Sequence, residues 1–494
     1  MGPSVRLLNE LGLTDQRGHN PPITGLTADS RSVRKGHVFV ALPGTRVHGA
    51  HYVKQALRNG AVAILSDAAG LEIAHAILAQ TDVSCILEEN PRQALAFAAA
   101  RWYGGQPETM VAVTGTNGKT SVAHFVRQLW SNFGHSAVSI GTTGVEGVWT
   151  APLSHTSPDP VILHHILNEA VAQDVTHVAM EASSHGLAQH RLDGVRIQAA
   201  AFTNLSQDHL DYHASMDAYF EAKLGLFRRV LPRCGAAVLN VDDPKVRDVS
   251  LISESLGQDV VTVGRDCDAD VCLLSQRLDA RGQDMHFAFR GKQHLVRLNL
   301  IGGFQAENAL LAFGLLVVTG EDPDEVIACL PRLTTVRGRM QWVATRQNKG
   351  TVYVDFAHTP HALVTALTAL RQHVMGRLIV ITGAGGDRDT SKRPLMGAAA
   401  AGYSDLVIVT DDNPRHEDAA RIRSDVKNGA PNAIEIADRA EAILRGVDML
   451  QSGDSLLIAG KGHETVQIVG NSQFPFDDAE QASMAVTLLD GGRA

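Results

Sequence analysis

MVAVTGTNGKTS, residues 110–121, joins a β-branched run to a glycine-rich turn, and an amphipathic stretch continues from the turn to Gly134. A strand, a loop and a helix in this order are typical of a phosphate-binding loop, whose backbone N–H groups point at a polyphosphate. Lys119 is then expected to reach the outer phosphates, and the Thr120 hydroxyl to ligate Mg²⁺ at the start of the helix. Because Val113 stands where the common pattern has its first glycine, we predict a shorter variant of the loop that binds a nucleoside triphosphate.

The loop supplies a consecutive set of candidate ATP-binding residues. They are Gly115, Thr116, Asn117, Gly118, Lys119, Thr120 and Ser121. A Gly-Lys-Thr turn also arises by chance in ordinary loops, but the flanking strand and helix favour nucleotide binding.

Length, charge and cysteine usage indicate a multidomain intracellular protein. At 494 residues the chain exceeds what one hydrophobic core serves and suggests about three domains. Its net charge of -9 argues against general nucleic-acid binding, which rewards positive patches. The cysteines are scattered without CxxC spacing, which indicates neither a zinc site nor a disulfide framework; they are Cys85, Cys234, Cys267, Cys272 and Cys329. With no apolar signal core and no apolar run longer than Ala309–Val318, we expect a cytoplasmic monomer without membrane insertion.

Breaker residues and the alternation of strands with helices divide the chain into three predicted α/β domains. Tyr103-Gly104-Gly105-Gln106-Pro107 precedes the phosphate-loop strand, so residues 1–106 are predicted to form a small N-terminal domain. Residues 107–334 alternate buried-type strands with helices, as a parallel nucleotide-binding sheet requires. The same alternation over residues 335–494 predicts a doubly wound, Rossmann-like C-terminal domain, with strands at Thr351–Asp355, Leu378–Thr382, Leu406–Thr410 and Ser455–Ala459.

Two apolar strands are predicted to end in clusters of potential metal ligands. The strand Val178–Met180 leads directly into Glu181, and in a parallel sheet its carboxyl end meets the same edge as the phosphate loop. Because Mg²⁺ prefers oxygen ligands, Glu181 is the candidate metal carboxylate. The stretch 202–213 repeats this design and includes His209, an imidazole suited to a second cation. A solvated glutamate and a packing or capping histidine are the alternatives.

Motifs along the whole chain resemble those of the Mur ligases of peptidoglycan synthesis. The matching segments are TGTNGKTS (114–121), MEASSHGL (180–187), TNLSQDHLDYH (203–213), YFEAK (219–223), DFAHTP (355–360) and DNPR (412–415). They occur in all three predicted domains in the family's order, and the pattern is most similar to the MurE type, which adds diaminopimelate. In that family the N-terminal domain binds a uridine nucleotide, the central domain ATP and the C-terminal domain the incoming amino acid.

The resemblance implies an ATP-dependent amide ligase of cell wall biogenesis, which serves cell shape, cell division and the cell cycle. ATP would phosphorylate the terminal carboxylate of UDP-N-acetylmuramoyl-L-alanyl-D-glutamate, and an amino group of meso-diaminopimelate would attack the acyl phosphate. Positioning and charge neutralisation are then the protein's task, with Lys119, Glu181, His209 and Lys223 as catalytic residues. The implied Mg²⁺ ligands are Thr120, Glu181, His209 and Lys223 as a carbamate, although its residue type alone suggests a solvated helix lysine.

The resemblance also carries substrate contacts over to matching positions. For the UDP-sugar substrate these are Ser30, Thr45, Arg46, Val47, His155, Thr156, Ser157, Ser183, Gln189 and Arg191. For ATP they are, besides the loop, Asn308, Arg339 and Asp355. For diaminopimelate they are Arg388, Asp412, Asn413, Pro414, Arg415, Gly460 and Glu464. An ordinary helix cap is the alternative for Asp355.

Arg415 is the expected selector of the amino acid. Diaminopimelate offers a second amino-acid head, whose carboxylate a guanidinium can hold with two parallel hydrogen bonds. Relatives that add lysine lack this arginine pattern. Three positions depart from the family pattern, which leaves their roles open; they are His155, Gln305 and His361.

Two other interpretations are compatible with the phosphate loop. Another ATP-dependent amide ligase of the superfamily, such as one that extends folate with glutamate or adds D-alanyl-D-alanine, would share it. The N-terminal domain and the DNPR turn argue against that alternative. A phosphate-loop switch protein would instead hydrolyse ATP without needing an amino acid.

Overall fold

The computed structural model describes residues 5–44, 47–153, 155–208, 212–279 and 281–491. These residues form two compact units. One unit runs to Ala269 and includes Leu311–Val326; the other comprises Asp270–Leu310 and the chain from Ile327 onward. The domain boundaries near residues 106 and 334 stay predictions. Among the described residues, the helices are too short or too polar to cross a lipid bilayer.

The first unit begins with a short antiparallel pair and a small parallel sheet. The pair is β1 (Arg6–Leu7) with β2 (Pro22–Ile23). The sheet has the order β3 (Gly25–Thr27), β4 (His37–Ala41), β5 (Ala63–Ser66) and β6 (Ser84–Leu87), with helices α1 (Val53–Arg58), α2 (Ala68–Leu78) and α3 (Pro91–Tyr103). Val38, Ile64 and Ile86 are fully buried, as expected for parallel strands covered by helices.

The phosphate-loop sheet occupies the rest of the first unit. Its strands are β7 (Thr109–Thr114), β8 (Ala137–Gly141), β9 (Gly144–Gly147), β10 (His177–Glu181), β11 (Ala199–Phe202), β12 (Ala236–Asn240) and β13 (Asp259–Gly264). Its helices are α4 (Lys119–Asn132), α5 (Pro160–Ala172), α6 (Ser184–Ala188), α7 (Met216–Gly225) and α8 (Val246–Ser255). The strands pair as β13-β12-β11-β7-β10-β8-β9, parallel except for β9. Strands β7, β10 and β11 therefore end at one edge, where the predicted ligand clusters lie.

The second unit opens with three antiparallel strands that the alternation of strands and helices did not predict. Strands β14 (Val271–Asp279), β15 (Gly282–Phe289) and β16 (Lys292–Leu298) pair in sequence order. The signal available in the sequence was an apolar residue at every second position. Met285, Phe287 and Phe289 follow this alternation, and all three are buried along β15. Arg290 and Gly291 form the next turn, both with positive φ, as two-residue hairpin loops require. Parallel strands alternating with helices therefore do not extend over all of residues 107–334.

Helices α9 (Phe304–Val318) and α10 (Pro323–Cys329) follow these strands. The segment Leu311–Val326, which includes most of both helices, belongs to the first unit. The C-terminal sheet then has strands β17 (Gln341–Thr345), β18 (Thr351–Asp355), β19 (Leu378–Thr382), β20 (Leu406–Val409), β21 (Ile434–Glu435) and β22 (Ser455–Ala459). They pair as β17-β18-β22-β19-β20-β21, parallel except for β17. A hairpin follows, β23 (Val466–Val469) and β24 (Ser472–Pro475), and the helices are α11 (Pro360–Arg371), α12 (Lys392–Tyr403), α13 (Ala419–Lys427), α14 (Arg439–Asp448) and α15 (Asp478–Leu489).

Successive residues of β19 face two separate hydrophobic cores. Leu378 and Val380 pack into one core, and Ile379 and Ile381 pack into the other. A strand that is buried on both faces reads as a continuous apolar run, which is why this segment was predictable as a central parallel strand. The predicted strands β18, β19 and β22 have the bounds that the sequence indicated.

Candidate active site

The phosphate loop connects β7 to α4 in a conformation that glycine permits. Gly115 has φ +143°, and Gly118, the N-cap of α4, has φ +85°. A Cβ atom on Gly115 would lie 1.9 Å from the hydroxyl oxygen of Thr203. A side chain at residue 115 would therefore collide with the segment that follows β11, so the loop depends on this glycine.

Two lysines converge on the loop. The Nζ atom of Lys119 donates hydrogen bonds to the carbonyl oxygens of Gly115, at 2.9 Å, and Thr116, at 2.7 Å. The Nζ atom of Lys223, on α7, donates to the same Gly115 oxygen at 2.5 Å. The fold thus brings Lys119 and Lys223 together at one carbonyl group.

Lys223 is buried, so the alternative of a solvated helix lysine is wrong. Its residue surface is 1% exposed, and Nζ lies 4.4 Å from the centroid of the Tyr219 ring. Burial and the charge of Lys119 lower the pKa of Lys223 well below its usual range, and Asp208 opposes this shift. Both effects favour the neutral amine over the ammonium form.

Glu181 ends β10 among hydrogen-bond donors. Its carboxylate accepts from the Thr120 hydroxyl at 2.9 Å, the Thr142 hydroxyl at 3.2 Å and the Thr142 N–H at 2.7 Å. Because Glu181 is only 3% exposed, the alternative of a solvated glutamate is wrong. A Cβ atom on Gly141 would lie 2.1 Å from Oε1, so that glycine keeps space beside the carboxylate. The hydroxyl and carboxylate oxygens of Thr120 and Glu181 fit the ligand preference of Mg²⁺.

Hydrogen bonds extend from Glu181 to residues predicted to bind the UDP-sugar. The hydroxyl oxygens of Thr142 and Thr156 lie 3.0 Å apart. The Ser157 hydroxyl donates to the carbonyl oxygen of Glu181 at 3.0 Å and accepts from the N–H of Ser183, also at 3.0 Å. The fold therefore brings these three candidates close to Glu181, the candidate metal carboxylate.

Arg191 and Gln189 continue this network. Arg191 donates to the carbonyl oxygen of Ser157 at 2.6 Å and to the side-chain oxygen of Gln189 at 2.8 Å. Gln189 in turn donates to the Tyr212 hydroxyl at 3.0 Å. His155, by contrast, is exposed, and its role stays open.

The N-terminal candidates belong to the small parallel sheet. Ser30 is buried, and its hydroxyl donates to the side-chain oxygen of Gln55 at 3.2 Å. Val47 is 48% exposed. Three predicted site residues lie outside the described residues; they are Thr45, Arg46 and His209.

In the second unit, a buried lysine holds the DNPR turn after β20. The Nζ atom of Lys461 donates to the side-chain oxygen of Asn413 at 3.1 Å, to the Glu464 carboxylate at 3.1 Å and to the Val466 carbonyl at 2.6 Å. Asn413 itself donates to the Glu464 carboxylate at 2.8 Å. The candidates Asn413 and Glu464 are therefore held against each other.

Arg415 and Arg388 both have side-chain atoms beside Gly385. A Cβ atom on Gly385 would lie 2.8 Å from Nη1 of Arg415 and 3.9 Å from Cγ of Arg388. Arg415 has φ +50°, its Nη1 donates to the Gly386 carbonyl at 2.9 Å, and its N–H donates to the Ile468 carbonyl at 3.0 Å. The fold therefore places both of the arginines that were predicted to bind the amino acid beside Gly385.

The carboxylate of Asp355 accepts hydrogen bonds from backbone N–H groups and does not cap a helix. Its carboxylate accepts from the N–H of Met340 at 2.6 Å and from that of Ala357 at 2.8 Å. Helix α11 is capped instead by Thr359, so the alternative of a helix cap is wrong for Asp355. Burial raises the pKa of Asp355, and the charge of Arg339 acts against this.

The remaining candidates of the second unit are close to polar partners. The side-chain amide of Asn308 donates to the side-chain oxygen of Gln305 at 3.0 Å, and both residues are buried. Gly460 has φ +119°, and a Cβ atom there would lie 2.7 Å from the Asp412 carboxylate. Gln305 is thus a direct neighbour of the predicted adenine contact.

Three family models match the chain in succession. The Mur ligase family catalytic domain matches residues 22–103, the Mur ligase middle domain residues 113–316, and the Mur ligase, glutamate ligase domain, residues 338–462. The UDP-N-acetylmuramoyl-L-alanyl-D-glutamate–2,6-diaminopimelate ligase of Agrobacterium fabrum is 46% identical over 490 residues, which cover 99% of this chain and 96% of that relative. The chain belongs to the Mur ligase family.

A second relative and two solved structures are also similar to this Mur ligase. The ligase of the same name from Bradyrhizobium diazoefficiens is 47% identical over 470 residues, which cover 94% of this chain and 95% of the relative. A solved structure of a UDP-N-acetylmuramoyl-L-alanyl-D-glutamate–2,6-diaminopimelate ligase has a TM-score of 0.72 at 32% identity, covering 98% of this chain and 99% of that one. MurF from Acinetobacter baumannii, with a TM-score of 0.62 at 18% identity over 93% of this chain and 96% of that one, shares the fold. The predicted three-domain α/β fold class is confirmed.

Residues outside the predicted set also shape the site of this Mur ligase. The Asn204 carbonyl accepts from the N–H of Thr116 at 2.7 Å, and its side-chain oxygen accepts from the N–H of Asn117 at 3.0 Å. Asn204 lies in the predicted ligand cluster 202–213, but its role in bracing the phosphate loop was missed. Strand register would have indicated it, because Phe202 pairs with Thr114 at the ends of neighbouring parallel strands. Lys461 and Thr142 were missed because only the folded chain shows their partners.

Proposed function

We propose that this Mur ligase joins meso-diaminopimelate to UDP-N-acetylmuramoyl-L-alanyl-D-glutamate, with ATP as co-substrate, in the synthesis of peptidoglycan precursors. The observation that carries the proposal is that Arg388, Arg415 and Asn413 all lie beside Gly385, and that Asn413 is paired with Glu464. Two guanidinium groups, an amide and a carboxylate suit a zwitterionic amino-acid head. The names of relatives at 46% and 47% identity agree with this assignment.

The first chemical step takes place at the phosphate loop. An oxygen of the substrate's terminal carboxylate attacks the γ-phosphorus of ATP, the bond to ADP breaks, and an acyl phosphate forms. Lys119 and the backbone N–H groups of the loop neutralise charge on the transferring and leaving phosphates. Nζ of Lys119 bonds to the loop carbonyls of Gly115 and Thr116, which keeps the cation at the loop.

The second step forms the amide. An amino group of diaminopimelate attacks the acyl carbon, inorganic phosphate leaves with the bonding electron pair, and the amine loses its proton to solvent. Binding of the amino acid in a fixed orientation is the main contribution that the protein can make to this step. Arg388, Arg415, Asn413 and Glu464 are the residues to which we assign that orientation.

Mg²⁺ is the metal that the site suits. Thr120 and Glu181 would hold it, together with a carbamate on Lys223 and with His209, which lies outside the described residues. When bound, the ion would supply positive charge that offsets the negative charge of the polyphosphate. The hydroxyl and carboxylate oxygens of Thr120 and Glu181, 2.9 Å apart, support this assignment.

A carbamate on Lys223 is consistent with its surroundings. The neutral amine attacks the carbon of carbon dioxide, an N–C bond forms while one C–O π bond opens onto oxygen, and an amine proton leaves to solvent, so the neutral side chain becomes an anion. Burial and the neighbouring Lys119 favour the neutral amine that this reaction needs. An anion at this position would attract Lys119, whereas an ammonium group repels it.

The UDP-sugar substrate is assigned to the first unit. The network from Arg191 through Ser157 to Glu181 supports a position for the substrate carboxylate beside the phosphate loop. Thr156, Ser183 and Gln189 would add donors for the same substrate. Ser30, Thr45, Arg46 and Val47 are proposed for the uridine nucleotide, and His155 for a further contact with the same UDP-sugar substrate.

ATP contacts in the second unit are proposed for Asn308, Arg339 and Asp355. The amide of Asn308 suits the adenine ring, and its bond to Gln305 supports a defined orientation. We place the reaction in the cytoplasm and expect a monomer, for which size-exclusion chromatography with light scattering should give the chain mass of 52.8 kDa. The product serves cell wall biogenesis and, through it, cell shape and division.

Product identification in a competition assay tests the proposal. The full chain would be incubated with ATP, Mg²⁺ and the nucleotide-linked dipeptide, together with equal amounts of diaminopimelate, lysine and D-alanyl-D-alanine. Mass spectrometry is expected to detect only the diaminopimelate adduct. A lysine or dipeptide adduct would identify a different amide ligase, and phosphate release at an unchanged rate without any amino acid would indicate a switch protein.

A further inference from the structure

Three metal-ligating side chains meet at the edge of the sheet opposite the phosphate loop. His135 lies between α4 and β8, His177 is the first residue of β10, and Glu321 follows α9. Helix α4 begins at the phosphate loop and has 14 residues, so its far end lies about 20 Å along its axis from that loop. The cluster is therefore separate from the Mg²⁺ site proposed above.

The potential ligand atoms of this cluster are close enough to share one ion. One nitrogen of each histidine and one Glu321 oxygen all lie within 4.8 Å of one another. Without an ion, Nε2 of His135 and Oε1 of Glu321 form a hydrogen bond of 2.8 Å, which an ion would replace, and the two imidazole rings stack with centroids 4.1 Å apart. The His135 side chain is 34% exposed and that of Glu321 17%, so an ion has access from solvent.

Two separate backbone turns position His135 and Glu321. After Gly134, with φ +83°, the N–H of His135 donates to the Trp130 carbonyl at 3.1 Å. After Gly320, with φ +110°, the N–H of Glu321 donates to the Leu316 carbonyl at 3.1 Å. Both arrangements are helix-terminating turns that direct the following side chain.

His177 has the orientation of a metal-ligating imidazole. Its Nδ1 lies 2.8 Å from the Thr176 hydroxyl, which leaves Nε2 for an ion, and a hydrogen bond on the second nitrogen is typical of metal-bound histidine. The Trp130 ring packs edge-on against the His177 ring, with the two ring centroids 4.9 Å apart, and restricts the rotation of the imidazole.

We propose that His135, His177 and Glu321 bind a divalent transition-metal ion of the Zn²⁺ class. Two imidazoles and a carboxylate suit this borderline ion, whereas Mg²⁺ prefers a set of oxygen ligands. Three protein ligands leave the fourth position to water. The ion would join the end of α9 to the edge of the sheet, and its effect is on stability rather than on the ligase reaction.

Co²⁺ titration of the full chain tests this site. Chelator-treated protein would be saturated with Mg²⁺, so that the phosphate-loop site is filled, and then titrated with Co²⁺. We expect one Co²⁺ per chain with the strong visible absorption of four- or five-coordinate geometry, displaced by equimolar Zn²⁺. Zn²⁺ should also raise the midpoint of thermal unfolding.

Ligand variants decide the assignment. His177→Gln and Glu321→Gln should each weaken Co²⁺ binding by at least about 100-fold, more than loss of an outer hydrogen bond costs. His165→Gln is the matched control, because His165 faces Glu169 at 3.7 Å in the same unit and has no third metal-ligating side chain among the described residues. It should bind Co²⁺ as the wild type does.

Two results would overturn the proposal. One is a weak octahedral spectrum in the wild type, and the other is an unchanged spectrum and affinity in Glu321→Gln. Glu321→Gln keeps the shape of the side chain at a helix end, so it decides the question even where His177→Gln fails to fold. Circular dichroism of each metal-free variant identifies such a failure.

Discussion

Lys223 and Lys461 are both buried lysines, one in each compact unit, but their surroundings differ in charge. Lys461 donates hydrogen bonds to three acceptors, one of which is the Glu464 carboxylate at 3.1 Å. Lys223 donates to the carbonyl oxygen of Gly115, lies against the Tyr219 ring, and shares its acceptor with a second cation, Lys119.

The difference shows that burial alone does not assign a role to a lysine. A buried ammonium group is stable only where partners compensate its charge. The carboxylate beside Lys461 does so, and the lysine then acts as a rigid link between Asn413 and Glu464. At Lys223 the neighbouring cation favours the neutral amine, which is a nucleophile.

The largest expected effect concerns Lys223. If it carries a carbamate that binds Mg²⁺, Lys223→Ala should lower the rate of synthesis by about 1,000-fold, because charge stabilisation at the phosphoryl group is lost. Product formation measured at saturating ATP and dipeptide substrate checks this. Added acetate or formate should restore part of the activity.

Lys223→Arg is the control for this prediction. Arginine keeps a positive charge but does not form a carbamate, so this variant should be as inactive as Lys223→Ala and should not respond to carboxylates. Activity in Lys223→Arg close to that of the wild type would show that the cation itself, rather than a carbamate, is needed.

The next largest effect is expected at Arg415. Arg415→Ala should raise the KM for diaminopimelate by roughly 100-fold, because a charge-assisted, bidentate contact worth about 2–4 kcal/mol is removed. The KM for ATP should change little. Arg415→Lys tests the geometry, since an ammonium group lacks the planar pair of donors and should restore only part of the loss. An unchanged KM for diaminopimelate in Arg415→Ala would exclude the DNPR turn as the selector.

Replacing the second buried lysine should give a smaller and different effect. Lys461→Met fills a similar volume but leaves Asn413 and Glu464 without their shared donor, at a cost of about 1–3 kcal/mol in the free energy of unfolding. The KM for diaminopimelate should rise by about tenfold, because those two side chains lose their orientation. Denaturant unfolding and steady-state kinetics measure the two quantities. Rescue of Lys461→Met by added carboxylates would contradict the contrast with Lys223.

The smallest effect is expected from a single methyl group beside Arg415. In Gly385→Ala the new Cβ would lie 2.8 Å from Nη1 of Arg415, so the flexible guanidinium must shift. We expect the KM for diaminopimelate to rise by a few fold while the fold is retained. Gly402→Ala in α12 is the matched control, because no atom of the described residues outside its own stretch of helix lies within 4 Å of the added Cβ. The kinetics of this variant should equal those of the wild type.

The sequence by itself determined the features whose residues are consecutive. The phosphate loop follows from glycines and a Lys-Thr pair placed between a strand and a helix. Strands β18, β19 and β22 follow from apolar runs that burial on both faces of a parallel sheet requires. The motifs also indicated the family, because each is a short segment that is recognisable without its partners.

The tertiary structure alone decided how these segments affect one another. It placed Lys223 at the carbonyl of Gly115, braced the loop with Asn204, surrounded Glu181 with Thr120 and Thr142, and joined Asn413 to Glu464 through Lys461. The antiparallel strands β14 to β16 were also missed, although the sequence shows an alternation of apolar residues along β15. The physical reason is that burial and electrostatic potential at a side chain depend on all the groups packed around it. Those groups come from segments distant in the chain, so residue type and local spacing do not specify them.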